Sequence, residues 1–318
     1  MKPVVLAIVG PTGSGKTSTA IQLCQRLDAE IVSMDSMQVY RRMDIGTAKP
    51  NSAELRAAKH HLIDVVEPDE LFTVSMYREM ASKAIDDILS KGKLPVLVGG
   101  TGLYLQALSY TLSLGENGAN DALREELNCI AAEPDGAAQL HKRLQAVDPV
   151  SAEKLHPNDT RRVIRALEIF ETTGRTKGEQ GTEAKNEGPY HILVYGLSLP
   201  REQMYARINA RVDQMVADGL VDEVKSLLAE GVHPRKEGGS MQAIGYKEIV
   251  SALSGEMSMD QAVALIKQGS RRYAKRQWTW FRRDERTQGF DWTEYDKPEH
   301  LLDALHNKIQ KDIKSYQK

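Results

Sequence analysis

Cysteine is nearly absent from this chain of 318 residues, which contains Cys24 and Cys129 and no other. The two lie far apart in the sequence and form no Cys-x-x-Cys pair. Neither a disulfide framework nor a zinc site is therefore suggested.

Long apolar runs are also absent, since no stretch approaches the roughly 20 residues that a membrane span requires. The apolar segment MKPVVLAIVG at the amino terminus has no basic leader and no small-residue cleavage site, and it continues directly into a glycine-rich loop. It therefore predicts a first strand and not a signal peptide. We expect a cytoplasmic protein with no membrane partner.

An excess of positive charge is the third feature that the sequence lacks. The formal net charge is -2, with 41% hydrophobic and 27% charged residues, a balance typical of globular proteins. Binding to nucleic acid therefore cannot be inferred from overall charge, and any such site must be a local patch.

Strand and helix patterns alternate in the first third of the chain. Apolar runs predict strands at Val4–Val9, Glu30–Met34 and Leu94–Val98, and helical spacing predicts helices at Lys16–Leu27 and Thr73–Leu89. This alternation is typical of a parallel α/β sheet that is covered on both faces.

The pattern becomes helical after about residue 112, following a turn-rich segment, SLGENGAND. A polar, glycine-rich stretch at 173–190 predicts a mobile loop, and His191–Leu199 predicts a further strand. We therefore expect an α/β core at 1–112 and 191–318, with a small helical insert at 113–190. Helices are also predicted at Arg201–Glu230, with a weak point at Gly219, and at Met259–Arg283.

The segment GPTGSGKT, from Gly10 to Thr17, fits the phosphate-loop pattern G-x-x-x-x-G-K-[ST], between a strand and a helix. Its glycines let backbone N–H groups converge on phosphate oxygens, while Lys16 supplies a cation and the Thr17 hydroxyl can ligate Mg²⁺. Most proteins with this loop bind ATP or GTP. Hydrolysing NTPases, however, usually carry an aspartate at the end of a later strand, and here that strand ends in Gly99-Gly100-Thr101.

Asp35 and Thr101 follow predicted strands whose carboxyl ends share a sheet edge with the phosphate loop. Asp35 could be a general base for a nucleophile attacking a bound diphosphate ester, or it could cap the next segment. Thr101 could donate a hydrogen bond to a leaving oxygen, or it could be a residue of a glycine-rich turn.

Two helical stretches concentrate basic residues, around Arg161–Arg165 and around Arg271–Arg283, the second with interleaved aromatic residues. Such stretches can attract an RNA backbone, although a solvated helix face with the aromatics in the core explains the pattern equally well.

Several segments, in this order along the chain, resemble tRNA dimethylallyltransferases (tRNA isopentenyltransferases) of the bacterial type. They are GPTGSGKT, SMDSMQVYRRMDIGTAKP, LVGGTGLYLQAL, HPNDTRRVIRALEIFETTGR, SMQAIGYKEI and RRYAKRQWTWFRR. The resemblance implies a P-loop kinase-like core with an inserted helical domain. It also implies transfer of a dimethylallyl group from its diphosphate to N6 of the adenosine 3′ of the anticodon. The chain lacks the carboxy-terminal Cys/His cluster of the family's eukaryotic, zinc-finger members.

The resemblance also implies roles for individual residues, with Asp35 as the base, Thr101 near the bridging oxygen and Mg²⁺ at Thr17. The diphosphate would be bound by Gly10, Thr12, Gly13, Ser14, Gly15, Lys16, Thr17, Arg207 and Arg211. The anticodon stem-loop of tRNA would be contacted by Asp35, Ser36, Met37, Gln38, Thr101, Arg124, Arg161, Arg162, Val163, Ile164, Arg165, Gln242, Gly245, Tyr246 and Lys247.

Three alternatives compete with this interpretation. A small-molecule or nucleotide kinase would share the loop but would not need the basic helices. A non-catalytic RNA-binding protein would not need Lys16, Thr17, Asp35 and Thr101 together. A prenyltransferase acting on free adenine nucleotides would need no surface the size of a tRNA.

Overall fold

The structure is a computed structural model that describes residues 1–111, 120–176, 187–235 and 239–318. Most of the predicted turn-rich boundary at 113–121 and the centre of the predicted mobile loop at 173–190 lie outside the described residues. Among the residues that are described, no helix combines the length and apolarity that crossing a bilayer demands.

The chain divides into two compact units, and the first comprises Met1–Ser109 and Pro189–Lys318. Six strands in its described part form one sheet in the order β3-β2-β4-β1-β5-β6, and every pairing is parallel. The strands are β1 (Val4–Val9), β2 (Ala29–Met34), β3 (His60–His61), β4 (Leu94–Gly99), β5 (His191–Ser198) and β6 (Thr287–Asp291).

Helices cover both faces of this sheet, which confirms the predicted α/β class. They are α1 (Lys16–Leu27), α2 (Ser52–Ala57), α3 (Val74–Ser90), α4 (Gly102–Ser109), α9 (Arg201–Ala217), α10 (Leu220–Ala229), α11 (Tyr246–Leu253), α12 (Met259–Phe281) and α13 (Pro298–Tyr316). The second unit, Tyr110–Gly188, contains α5 (Asp121–Ala131), α6 (Gly136–Val147), α7 (Pro149–Lys154) and α8 (Thr160–Thr173).

Alternation along β1 explains the two layers. Val5, Ala7 and Val9 face one core with α3 and α4, whereas Leu6 and Ile8 face the other with α1 and α13. Successive side chains of a strand point to opposite faces, so a strand that is apolar throughout is buried on both sides.

The edges of the sheet differ from the sequence predictions. β3 and β6 were not predicted, because a two-residue strand and the polar edge strand TQGFD have no apolar run, and the helix α13 was not predicted either. The single helical pattern predicted for Arg201–Glu230 is two helices, interrupted around Gly219.

Candidate active site

Three adjacent strands bring the predicted site residues to one edge of the sheet. Val9 of β1 and Met34 of β2 both lie opposite Gly99 of β4. The backbone N–H of Thr101 donates to the carbonyl of Met34 at 3.2 Å. The phosphate loop, Asp35 and Thr101 therefore follow neighbouring strand ends, where ligands bind in open parallel sheets.

The phosphate loop has the backbone that its glycines predict. Gly13 and Gly15 have φ values of 81° and 85°, a left-handed backbone conformation that residues other than glycine rarely adopt. α1 begins immediately afterwards at Lys16, so its positive end lies next to the loop. The Lys16 ammonium donates to the carbonyl of Pro11 at 2.7 Å, inside the loop.

Two hydroxyl groups at this edge, Ser14 Oγ in the loop and Thr101 Oγ1, are buried and make no full hydrogen bond in the described structure, although Tyr273 of α12 interacts with Thr101. A buried polar group that is not hydrogen-bonded is costly, and native proteins avoid it unless a ligand or water supplies the partner. Both hydroxyls are therefore available to an oxygen-rich ligand such as a diphosphate.

The electrostatics favour the binding of an anion. Burial lowers the pKa of Lys16 to about 8; the negative charge of Asp35 opposes this shift and the positive charge of Arg211 adds to it. A bound anion would favour the protonated form of Lys16 and would therefore raise the pKa of this side chain again.

Asp35 closes a local turn, as the capping alternative proposed. Its Oδ1 accepts the backbone N–H of Met37 at 2.8 Å and of Gln38 at 3.4 Å. Oδ1 thus organises the segment Asp35–Gln38, and this use of one oxygen is compatible with proton transfer to the other.

The arginines predicted to bind the diphosphate lie on α9, which packs against the phosphate loop. A Cβ atom on Gly13 would lie 3.3 Å from Ile208 and 3.9 Å from Arg207 Cβ. Arg211 donates to the carbonyl of Ala48 at 3.4 Å and interacts electrostatically with Asp35. One turn of helix separates the two arginines, so both share the face next to the loop.

Three residues of this site were not predicted: Gln277 and Tyr273 on α12, and Trp292 after β6. Gln277 is buried and hydrogen-bonds both the phosphate loop and Gly100. Burial and the charge of Asp35 raise the pKa of Tyr273 to about 12, while its contacts with Thr101 and Gln277 oppose the rise. Trp292 Nε1 donates to the carbonyl of Ser14 at 2.8 Å. The helical spacing of positions 273, 277, 280 and 281 places them on the inner face of α12. This spacing was the sequence signal that could have identified Tyr273 and Gln277.

The outer face of α12 carries exposed cations, as the basic stretch predicted. Ala274, Gln277 and Phe281 of the same helix are buried. The sequence thus places apolar and amide groups inward and guanidinium and ammonium groups outward. The exposed cations are Arg272, Lys275 and Arg276 on the helix, and Arg282 and Arg283 immediately after its end.

In the helical unit, a buried carboxylate organises two of the predicted RNA-binding arginines. Glu168 accepts from Arg124 at 2.8 Å and from Arg165 at 2.7 Å. Burial alone would raise the pKa of Glu168, but these guanidinium groups outweigh it and lower the pKa. The two arginines therefore also stabilise the fold of this unit.

The remaining predicted residues of α8 divide by exposure. Arg161 and Arg162 are exposed, whereas Val163 and Ile164 are 0% and 4% exposed in the core of the helical unit. The side chains of Val163 and Ile164 thus have no surface for RNA, because they form the apolar face of an amphipathic helix.

The segment Gln242–Lys247 divides in the same way. Gln242 and Lys247 are exposed, while Gly245 is buried and Tyr246 is fully buried. Tyr246 packs into the apolar cluster around Met43 and Leu220, so its side chain supports the core and has no surface for a nucleic acid.

One cluster of potential metal ligands lies away from this site. Among the described residues, Glu30, His61 and Asp87 bring ligand atoms within 4.8 Å of one another. Glu30 is at the start of β2, whereas the phosphate loop lies at the carboxyl ends of the strands. Glu30 already pairs with His61 at 2.8 Å and with Lys93 at 3.4 Å. This cluster is explained as an ion-pair network.

Comparison with known proteins gives consistent matches. A family model described as IPP transferase matches residues 38–284. A tRNA dimethylallyltransferase of Halalkalibacterium halodurans is 45% identical over 97% of both chains, and one of Oceanobacillus iheyensis is 48% identical over 89% of both.

Solved structures agree with these relatives. A tRNA isopentenylpyrophosphate transferase of Bacillus halodurans superimposes with a TM-score of 0.74 and 42% identity, covering 99% of this chain and 98% of the other. A eukaryotic dimethylallyltransferase, described as acting on tRNA, matches with a TM-score of 0.78 and 30% identity over 98% of this chain and 80% of its own.

Proposed function

The chain belongs to the tRNA dimethylallyltransferase family of prenyl-transferring enzymes, and from this premise we propose how its own residues modify tRNA. The acceptor is N6 of the adenosine 3′ of the anticodon, and the donor is dimethylallyl diphosphate. The observation that carries the proposal is the convergence of Lys16, Asp35 and Thr101 at adjacent strand ends, together with the buried hydroxyls of Ser14 and Thr101.

The diphosphate occupies the loop from Gly10 to Thr17, where backbone N–H groups, the start of α1 and the Lys16 ammonium oppose its charge. Arg207 and Arg211 add positive charge from α9. A divalent metal suits this site because the Thr17 hydroxyl offers a hard oxygen. We propose that Thr17 would hold Mg²⁺, which would supply positive charge against the leaving group.

The transfer breaks the bond between the allylic carbon and the bridging diphosphate oxygen, and it forms a bond between that carbon and N6. The oxygen keeps the electron pair, and the Thr101 hydroxyl donates a hydrogen bond to it. N6 is a weak nucleophile because its lone pair is delocalised into the ring, so its proton must be removed as the bond forms. Asp35, beside the loop, accepts that proton.

The adenine must leave its stack to reach Asp35, which an RNA loop permits at low cost. We propose that Asp35–Gln38 contact the extruded nucleotide. The tRNA backbone meets exposed cations on each unit, namely Arg161 and Arg162 on α8, and Lys247 with the outer face of α12 on the core. Arg124 and Arg165 contribute through their fixed positions on Glu168.

A kinase would share the phosphate loop, but the comparisons do not favour it. β4, which neighbours β1, ends in Gly99 and is followed by Gly100 and Thr101, with no strand-end carboxylate. We therefore expect no phosphoryl transfer from ATP.

The direct test incubates the protein with labelled dimethylallyl diphosphate, Mg²⁺ and unmodified tRNA, and then digests the RNA to nucleosides. We expect label on one adenosine, and a tRNA with a different base 3′ of the anticodon should remain unlabelled. ATP-dependent phosphorylation of a small molecule without prenylation of tRNA would refute the proposal.

A further inference from the structure

The side-chain amide of Gln277 joins the two loops that face the substrate. Its Oε1 accepts the backbone N–H of Thr12 at 2.9 Å, and its Nε2 donates to the carbonyl of Gly100 at 3.1 Å. The residue is 6% exposed. An amide offers both an acceptor and a donor, so glutamine can make both bonds where glutamate or methionine cannot.

The approach of Gln277 to the turn after β4 also explains a glycine. A Cβ atom on Gly100 would lie 1.8 Å from Gln277 Nε2, far closer than two non-bonded atoms allow. Gly100 thus leaves the space that the amide fills, immediately before Thr101.

The bond to Thr12 affects the phosphate loop itself. A backbone N–H that donates to Gln277 is directed toward α12 and does not point at the diphosphate. Thr12 thereby anchors the loop to α12, while the N–H of Ser14 donates within the loop to the carbonyl of Pro11 at 3.2 Å.

We propose that Gln277 is a positioning residue that fixes the phosphate loop relative to Thr101, so that the bridging oxygen of a bound diphosphate meets the Thr101 hydroxyl. Because Gln277 is buried, it acts through its contacts with Thr12, Gly100 and Tyr273 without touching the substrate. The proposal rests on the proposed role of Thr101 in stabilising the leaving group. A displacement of about 1 Å between reacting groups can cost about 100-fold in rate.

Two substitutions of Gln277 separate its bonds. Gln277→Met has a similar length but makes neither bond, and Gln277→Glu keeps an acceptor for Thr12 while placing a carboxylate against the Gly100 carbonyl. We expect single-turnover prenylation at saturating substrates to fall about 10- to 100-fold in both variants. Affinity for tRNA should be unchanged. Gln268→Met, an exposed position on the same helix, should retain the wild-type rate.

A double-mutant cycle with Thr101→Val distinguishes positioning from general support of the fold. If Gln277 acts through Thr101, the double variant should transfer no more slowly than Thr101→Val alone. Additive losses would overturn the inference and leave the role of Thr101 intact. A wild-type rate for Thr101→Val would instead overturn the proposed role of Thr101, and this inference with it.

A second variant keeps the test valid if Gln277→Met does not fold. Gly100→Ala should displace Gln277 Nε2 from the opposite side of the same hydrogen bond. It should give the same loss of rate and the same non-additivity with Thr101→Val. A folded Gly100→Ala protein with the wild-type transfer rate would contradict the inference.

Discussion

The carboxylate of Glu223 on α10 accepts a hydrogen bond from the Tyr246 hydroxyl of α11 at 2.6 Å. The same carboxylate accepts the backbone N–H groups of Asp44 and Ile45 at 2.8 Å each, and of Gly46 at 3.1 Å. A Cβ atom on Gly46 would lie 2.5 Å from the Tyr246 ring. One acid therefore holds together the segments DIGT and IGYKE, which lie about 200 residues apart in the sequence.

Replacing Glu223 should destabilise the loop that follows the Asp35–Gln38 segment. Glu223→Ala leaves four donors without their acceptor, and we expect a loss of about 2 kcal/mol in the free energy of unfolding. Tyr246→Phe removes one hydrogen bond and should cost about 1 kcal/mol. Chemical denaturation measures both changes. Asp222→Ala, at an exposed neighbouring acid, is the control, and an equal loss there would contradict the assignment.

Asp35→Asn should reduce chemistry far more than binding. Asparagine Oδ1 can still accept the N–H groups of Met37 and Gln38, so the turn is kept, but the amide cannot take the proton from N6. Loss of a general base typically costs about 10²- to 10⁴-fold. Single-turnover transfer should fall by that order while affinity for dimethylallyl diphosphate changes little. A near-normal rate would show that Asp35 only caps the turn.

Affinity for dimethylallyl diphosphate should weaken as the pH rises through about 8. Burial lowers the pKa of Lys16 to about 8, so the ammonium that attracts the anion is present below this pH and is lost above it. Lys16→Arg keeps its charge throughout this range and serves as the matched variant. Binding measured between pH 7 and 9.5 should decline in the native protein and remain level in Lys16→Arg. Parallel pH profiles would assign the titration to another group.

The arginines of α8 should separate into two functional groups. Replacing exposed Arg161 and Arg162 by alanine should weaken tRNA binding without loss of stability. The slope of binding affinity against salt concentration should fall by the equivalent of about one to two phosphate contacts. Arg165→Ala should instead lower the unfolding temperature, since the buried Glu168 loses a partner.

The control for charge is the double variant Lys142→Ala and Lys154→Ala, which removes two exposed cations from α6 and α7 of the same unit. It should leave the salt slope nearly unchanged. If it weakened tRNA binding as much as the Arg161 and Arg162 substitutions, attraction would depend on the net charge of the unit and not on α8.

Local sequence determined the elements that carry the site. β1, α1 and the intervening glycine-rich loop follow from an apolar β-branched run, left-handed glycines and helical spacing, all of which act within a few residues. Asp35 and Thr101 could be placed at one edge because parallel strands end on the same side of a sheet. The basic outer face of α12 also followed from charge and helical period.

Contacts between distant segments were decided only by the tertiary structure. Gln277 reaches Thr12 across 265 residues, and Trp292 reaches Ser14 across 278. The spacing on α12 indicates that Gln277 faces inward, but no local signal indicates which distant segment either residue contacts. That depends on where α12 and the end of β6 pack after the sheet has formed. The short strand β3 and the polar strand β6 exist because β2 and β5 offer them backbone hydrogen bonds. Burial likewise distinguishes exposed Arg161 from buried Val163, and exposed Lys247 from buried Tyr246. A sequence motif contains such neighbours together, and only packing decides which of their side chains faces solvent.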